Sequence, residues 1–347
     1  MQNWTMQNPV LVEVLRGGVV ESHHSGAVAV VDADGRLALT IGDVERSVYP
    51  RSAVKALQAL VLVESGAADR YGLTDEELAL ACSSHNGEPD HIVTAQRMLA
   101  RAGLDAAALR CGAHPPIHHP SAMTLARTGA APSALHNNCS GKHSGFLCVA
   151  CALGGETRTY LEPDQPVQRE VRATIESVSS ASLPESCRGI DGCSAPTWAM
   201  PLRKLAFAFA RFGTGHGLAP MRAKAAARLR TACLAHPWHV AGTGRLCTDI
   251  MRLFGARVFV KMGAEGVYCA AFPDSGLGLA VKCDDGAGRA AEVIMAALVA
   301  RFVEMAGNEQ AALERLVRPT LYNWNGFVVG ALRPTEKLSD GRAPRER

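Results

Sequence analysis

Three short strings hold the residues best suited to nucleophilic chemistry. Ser52-Ala-Val-Lys55 opens a predicted helix, Ser52 to Glu64. Three residues is nearly one helical turn, so the hydroxyl and the amine share a face. A serine hydroxyl is a poor nucleophile at neutral pH, and a neutral amine beside it can take its proton. That lysine must be desolvated or close to another cation. The competing reading makes Ser52 a plain helix cap. Cys82-Ser-Ser-His-Asn-Gly87 follows an apolar run and offers hydroxyls, including Ser84, with an amide and exposed backbone; a surface turn is its bland alternative. Lys261-Met-Gly263 follows the β-prone run Val258 to Val260, where a strand end can aim the lysine into a cleft.

A second group has metal-ligand chemistry. His136-Asn-Asn-Cys-Ser-Gly-Lys-His143 is followed downstream by Gly189-Ile-Asp-Gly-Cys-Ser194. Cys139 and Cys193 together supply two soft thiolates for Zn²⁺. Ligand chemistry alone nominates His143 as the third donor; two buried thiols is the alternative. His114, His118 and His119 lie among three prolines, which predicts a loop, and no metal is assigned to them. Gly213-Thr-Gly-His-Gly217 follows a helical pattern and not a strand, so it is no dinucleotide loop. Gly242-Thr-Gly-Arg245 is a further Gly-rich loop, a pocket lining or a plain connection.

The elements that must position these residues come in blocks. Ala27 to Ile41 reads as two strands around Asp32-Ala-Asp-Gly35, a hairpin signal, and Val10 to Val20 as another strand. The middle is helical: after Ser52 to Glu64 come Pro89 to Ala102, Lys142 to Leu153, Gln165 to Val178, Leu202 to Phe212 and Met221 to Leu234. Strands return at Val258 to Val260, Gly266 to Phe272 and Leu277 to Lys282. An apolar helix follows, Gly288 to Ala306, and Val328-Val329 reads as a last edge strand. Terminal strands pairing into one sheet around a helical insertion give an α+β fold. The expected division is a sheet-containing subdomain of residues 1–50 and 245–347 and a mainly helical one of 51–244, with a cleft between them.

Composition narrows the partners. The 347 residues are 48% apolar and 20% charged, an ordinary globular balance. A net charge of +3 and 5% aromatics supply neither an electrostatic grip on nucleic acid nor a base-stacking surface. No apolar run reaches the roughly 18–20 residues that cross a bilayer. The start has no basic region followed by an apolar core. Eleven scattered cysteines, an odd number, fit a reducing cytoplasm with most thiols buried as small hydrophobes.

Taken together the motifs resemble known families. Ser-X-X-Lys, then Ser84-His-Asn86, then Lys-X-Gly is the chain order of the penicillin-recognising serine enzymes, although Met262 stands where those have Ser or Thr. The more specific match is to the rhizobial-type (class 3) L-asparaginases. It runs in order through Arg16-Gly-Gly-Val-Val-Glu-Ser22, Arg51-Ser-Ala-Val-Lys55, Cys82-Ser-Ser-His85, Asn138-Cys-Ser-Gly-Lys-His143, Gly189-Ile-Asp-Gly-Cys193, His236-Pro-Trp-His-Val-Ala-Gly-Thr-Gly-Arg245 and Lys261-Met-Gly-Ala264. The resemblance implies a fold similar to serine β-lactamases and glutaminases, a homodimer, and hydrolysis of L-asparagine to L-aspartate and ammonia. It implies two Ser–Lys pairs, Ser52 with Lys55 and Ser84 with Lys261. It implies Zn²⁺ on Cys139, Lys142 and Cys193, so that lysine replaces histidine as the third ligand. Asp191 then lies beside the metal's water, with Arg51 and His143 near the substrate pocket. Alternatives from the same residues are a glutaminase, a β-lactam acylase, or a zinc-binding sensor without turnover. Which serine attacks is left open.

Overall fold

The structure, a computed structural model, describes residues 8–339. Its strands in chain order are β1 (Val10–Arg16), β2 (Val19–Asp32), β3 (Leu37–Ile41), β4 (Ser47–Val48), β5 (Arg188–Ile190), β6 (Pro196–Trp198), β7 (Met200–Pro201), β8 (Phe259–Gly263), β9 (Val267–Phe272), β10 (Leu277–Cys283), β11 (Thr320–Tyr322) and β12 (Val328–Pro334). Eight of them form one antiparallel sheet, in the order β11-β12-β1-β2-β10-β9-β8, with β3 also on β2. The α+β class, with strands from both ends of the chain in one sheet, is as expected.

The long strand β2 is the corner. Its first half pairs with β1, Arg16 opposite Val19, and its second half with β10, Val28 opposite Val281. The strand is exposed from Val19 to His23, whereas Ala27 to Val31 is apolar and buried throughout. β9 is likewise buried at every position. Strands covered on both faces lose the polar–apolar alternation and read as continuous apolar runs. The covering helices are 202–214, against β2, β9 and β10, and 288–302, against β9, β10, β1 and β12. Gly278 of β10 lets the first approach: a Cβ there would lie 2.1 Å from Ala210 N and 2.2 Å from Ala206 O. Beside it Phe209, Phe212 and Phe259 pack at ring separations of 5.2–6.3 Å.

The helical part surrounds helix Ser140–Ala152, whose residues 140–150 are all buried. Gly141 meets the end of helix Asp75–Ala81 so closely that a Cβ would lie 2.3 Å from Leu80 O. Helix Asp75–Ala81 begins with a capping box, Thr74 to Glu77 and back.

Three expectations are corrected. Val328-Val329 opens a strand interior to the sheet, and β11 is the edge, because Thr320–Tyr322 adds beyond it. The proline-rich loop ends at His118; His119–Arg127 is a helix with Pro120 in its first turn, where a missing N–H costs nothing. The helix expected over Ser52 to Glu64 is broken into a 3₁₀ turn, Arg51–Val54, and two short helices, Lys55–Gln58 and Leu60–Glu64.

Candidate active site

Ser52 lies in the 3₁₀ turn Arg51–Val54 and Lys55 at its end, so the two keep one turn between them. Arg51 has φ +51°, a left-handed backbone that a non-glycine residue adopts at a cost of about 1–3 kcal/mol. Its side chain is held by Asp191, Nε to Oδ1 2.7 Å. Opposite this turn stands β8, which among the described residues is an edge strand paired only with β9. Gly263 lets it come close: a Cβ there would lie 2.5 Å from Pro50 O and 3.2 Å from Ala53 N. Lys261, two residues earlier on β8, is fully buried.

Lys55 is 1% exposed, and its Nζ donates to Ser83 O at 2.7 Å and Asn138 O at 3.2 Å. Those two bonds tie the Ser52 turn to the segment carrying Ser84 and to the residue before Cys139. Neither serine hydroxyl is hydrogen-bonded to a lysine among the described residues. Lys261 Nζ donates only to its neighbour's carbonyl, Met262 O, at 3.0 Å. Burial, and then the charge of Lys55, bring its pKa down to about 7. An amine of that kind is a base near neutrality.

Ser84 is fixed from behind. Its N–H donates to Val240 O at 2.9 Å. Two residues on, Asn86 spends its amide on structure: Nδ2 donates to Thr243 O at 2.9 Å, and Oδ1 accepts from Arg245 Nη1 at 2.8 Å. Buried Glu88 accepts from Thr243 N and Oγ1, both at 2.8 Å. Gly242, φ +111°, leaves this joint its room, since a Cβ would lie 2.6 Å from Asn86 Nδ2. The Gly242 to Arg245 loop is therefore a brace for the Ser84 segment.

Next to Lys55 lie the sulfur residues. Cys139 caps helix Ser140–Ala152, which carries Lys142 and His143 in its first turn. Asp191 and Cys193 sit in the turn that joins β5 to β6, closed by Asp191 N to Ala195 O and Ser194 N to Asp191 O, each 2.9 Å. Lys142 Nζ donates to Cys193 Sγ at 2.9 Å. Contact between the two thiols pulls Cys139 well below the ordinary thiol range and pushes Cys193 up. Cys139 Sγ donates to the Asn138 side-chain carbonyl, Oδ1, at 2.9 Å. Burial works against the Lys142 charge, but the two sulfurs hold its pKa above the usual lysine value. Burial would raise the Asp191 carboxyl, yet Lys142 and Arg51 keep it low. His143 is fully buried; burial lowers its pKa to about 4.

Of the ten residues expected from sequence, Lys55 is bonded to the Ser83 and Asn138 carbonyls, Arg51 to Asp191 and Lys142 to Cys193, and all but Arg51 and Asp191 are buried. No group of three or more His, Cys, Asp or Glu side chains is set to hold a metal among the described residues. The donor set at hand is two thiols and an amine, which is soft enough for zinc. His114 Nε2 accepts from the backbone N–H of Asn138 at 3.1 Å, and so braces the residue before Cys139. A cleft of about 1180 Å³ opens elsewhere, between Phe272, Leu277, Arg301 and Leu313, and holds none of the ten. Sequence reading missed Tyr160, whose hydroxyl reaches His143, and the supporting bond His85 Nε2 to Ser140 Oγ at 2.8 Å. A lone tyrosine in the turns between two helices gives no periodic signal.

Residues 12–334 match the family model described as L-asparaginase II. The chain belongs to the L-asparaginase II family. A search of curated proteins found no match. Among solved structures this family member is similar to a β-lactamase from Mycobacterium bovis, 15% identical over 77% of this chain and 89% of that one, TM-score 0.37. It is similar to a D-alanine carboxypeptidase from Burkholderia cenocepacia, 13% identical over 84% and 93%, TM-score 0.35. It is also similar to Mglu, 15% identical over 77% of this chain, TM-score 0.33, and spans 64% of that chain. Overlaps this loose carry no argument about chemistry. Membership of the asparaginase family does, and makes the protein a hydrolase.

Proposed function

We propose that the chain hydrolyses the side-chain amide of L-asparagine, giving L-aspartate and ammonia through a serine ester. One observation supports this above the others: the Ser52–Lys55 turn, the Ser84 segment and Lys261 on the edge of β8 meet in one buried place, in a member of an asparaginase family.

Ser52 Oγ attacks the amide carbon, and its proton passes to Lys55 Nζ, which must be neutral at that moment. The C–N bond then breaks, and the proton leaves with the nitrogen as ammonia. Water attacks the ester, gives a proton back through Lys55 to Ser52, and frees aspartate. Ser84 and Lys261 extend the proton relay. Among the described residues β8 has no strand partner beyond its outer edge, which suits that backbone to face the oxyanion with the N–H of Ser52. Arg51 and Asp191 suit the charged amino-acid end of the substrate.

Zinc is the group implied by the resemblance. Cys139, Lys142 and Cys193 would hold it, and Lys142 must then give up its proton. When bound it would supply a fixed positive charge for gripping the substrate. The homodimer and the reducing cytoplasm belong to the same reading; eleven free cysteines, nine of them buried, support the second.

The test is ammonia release from L-asparagine and L-glutamine by wild type, Ser52→Ala and Ser84→Ala, with nitrocefin as the β-lactam arm. We expect asparagine to be the better substrate and Ser52→Ala to lose at least about 10³-fold in kcat. Full activity of Ser52→Ala with loss in Ser84→Ala would transfer the nucleophile to Ser84. No ammonia from either amide would reject the reading.

A further inference from the structure

Behind the sulfur cluster, one buried hydroxyl settles which way a histidine faces. Tyr160 is fully buried, in the turns between helices Ser140–Ala152 and Pro166–Ser179, and Gln168 Nε2 pins its carbonyl at 2.9 Å. Its hydroxyl has two partners: the backbone N of Arg110 at 3.0 Å and Nδ1 of His143 at 2.6 Å. The His143 and Tyr160 rings stand edge to face, 86° apart.

The polarity of this chain is forced. A backbone N–H can only donate, so the phenol oxygen accepts from Arg110. The phenol's own proton needs an acceptor, since a buried unpaired donor is costly. The acceptor in reach is His143 Nδ1. Nδ1 therefore carries a lone pair, and the ring's proton is on Nε2. A doubly protonated ring, or an Nδ1–H tautomer, would strand the tyrosine proton in the interior. At the other end of the ring, Nε2 has no hydrogen-bond partner among the described residues. The Cys193 sulfur takes its hydrogen bond from Lys142.

We infer that Tyr160 is a positioning residue: it locks His143 as the Nε2–H tautomer, so the ring offers no lone pair to a metal. One nitrogen is occupied by the phenol and the other is capped by its proton. His143 is thereby kept out of the donor set of Cys139, Lys142 and Cys193 that the resemblance implies. This second consequence rests on the zinc reading above; the tautomer does not.

Two measurements decide it. Long-range proton–nitrogen spectra of histidine-labelled protein read the tautomer directly. His143, assigned by the signal lost in His143→Gln, should show an unprotonated, hydrogen-bonded Nδ1 and a protonated Nε2. Tyr160→Phe should shift that ring toward the Nδ1–H form. An Nδ1–H signal in wild type, or a spectrum unchanged in Tyr160→Phe, would overturn the inference; if Tyr160→Phe does not fold, the wild-type spectrum still decides. The second is titration with cobalt(II) alone, followed by thiolate-to-metal absorption. His143→Gln should bind one cobalt within about threefold of wild type, whereas Cys193→Ser should lose it. Loss of cobalt in His143→Gln with retention in Cys139→Ser would make His143 a ligand and sink the inference. If wild type takes up no cobalt, the zinc reading fails by itself, and the tautomer spectrum still decides the role of Tyr160.

Discussion

The two interiors of this protein are built on opposite rules. Under the sheet, helix 202–214 rests on β9 and β10 through phenylalanines, alanines and Gly278. The residues buried along that helix are apolar, and close packing sets the fit. Some distance along the chain, the candidate site buries Lys55, Lys142 and Lys261, each at 3% exposure or less. None of these is paired with a carboxylate among the described residues: Lys55 has two carbonyls, Lys142 a sulfur, Lys261 one carbonyl. Glu77 shows what the chain does when stability alone is at stake. It is as deeply buried, and it is bonded by both Arg97 and Arg101, at 2.8 and 2.9 Å. Lys261 is the one that burial and the charge of Lys55 bring to a pKa of about 7, the condition for an amine to act as a base near neutral pH.

That contrast can be attacked at several strengths. The largest effect belongs to Lys55→Met: loss of at least about 10³-fold in kcat on asparagine, equal to about 4 kcal/mol of transition-state stabilisation, with the melting temperature unchanged or raised. A fall in stability with kcat intact would make Lys55 structural. Next is Gly278→Ala, whose methyl meets the backbone of helix 202–214. We expect it to cost about 3 kcal/mol in urea unfolding, because a helix cannot shift as a side-chain tip can. A neutral result would show the sheet face to be looser than its packing.

Lys261→Met sharpens the comparison through pH. The folded pKa of about 7 is below the unfolded value, so between the two the unfolded chain holds the extra proton and wild-type stability rises with pH. The burial cost is therefore complete below pH 7. Lys261→Met should be more stable than wild type by on the order of 2 kcal/mol at pH 6, and the gain should shrink steadily above pH 7. A gain independent of pH would remove Lys261 from the titrating groups. The smallest effect is at an ordinary structural site: Thr74→Ala, which opens the capping box, should cost about 1 kcal/mol and leave kcat alone.

Much of the site was legible because reactive residue types in short strings keep their neighbours whatever the fold does. Ser52 and Lys55 stay one turn apart even though the expected helix breaks after Gln58. Asp191 and Cys193 stay together because a two-strand hairpin encloses them. The helices were legible where one face is apolar, as in Leu202–Thr214. Helix His119–Arg127 was hidden by the prolines before it and by having no buried side chain to set a period. The role of Asn86 was hidden too: its type allows substrate contact, and only its partners Thr243 and Arg245 show that its amide is already used.

By itself the sequence determined the inventory: two serines, three lysines and two thiols in strings specific enough to mark a family, and strands at both ends of the chain that could share a sheet. Tertiary structure decided which of them meet. Lys55 touches Ser83 and Asn138 across 28 and 83 residues, and Lys142 touches Cys193 across 51. It also decided the state of each group, from the lowered pKa of Lys261 to the proton position on His143. Charge and tautomer depend on burial and on what lies within a few ångströms in space, and a linear order of residues carries neither.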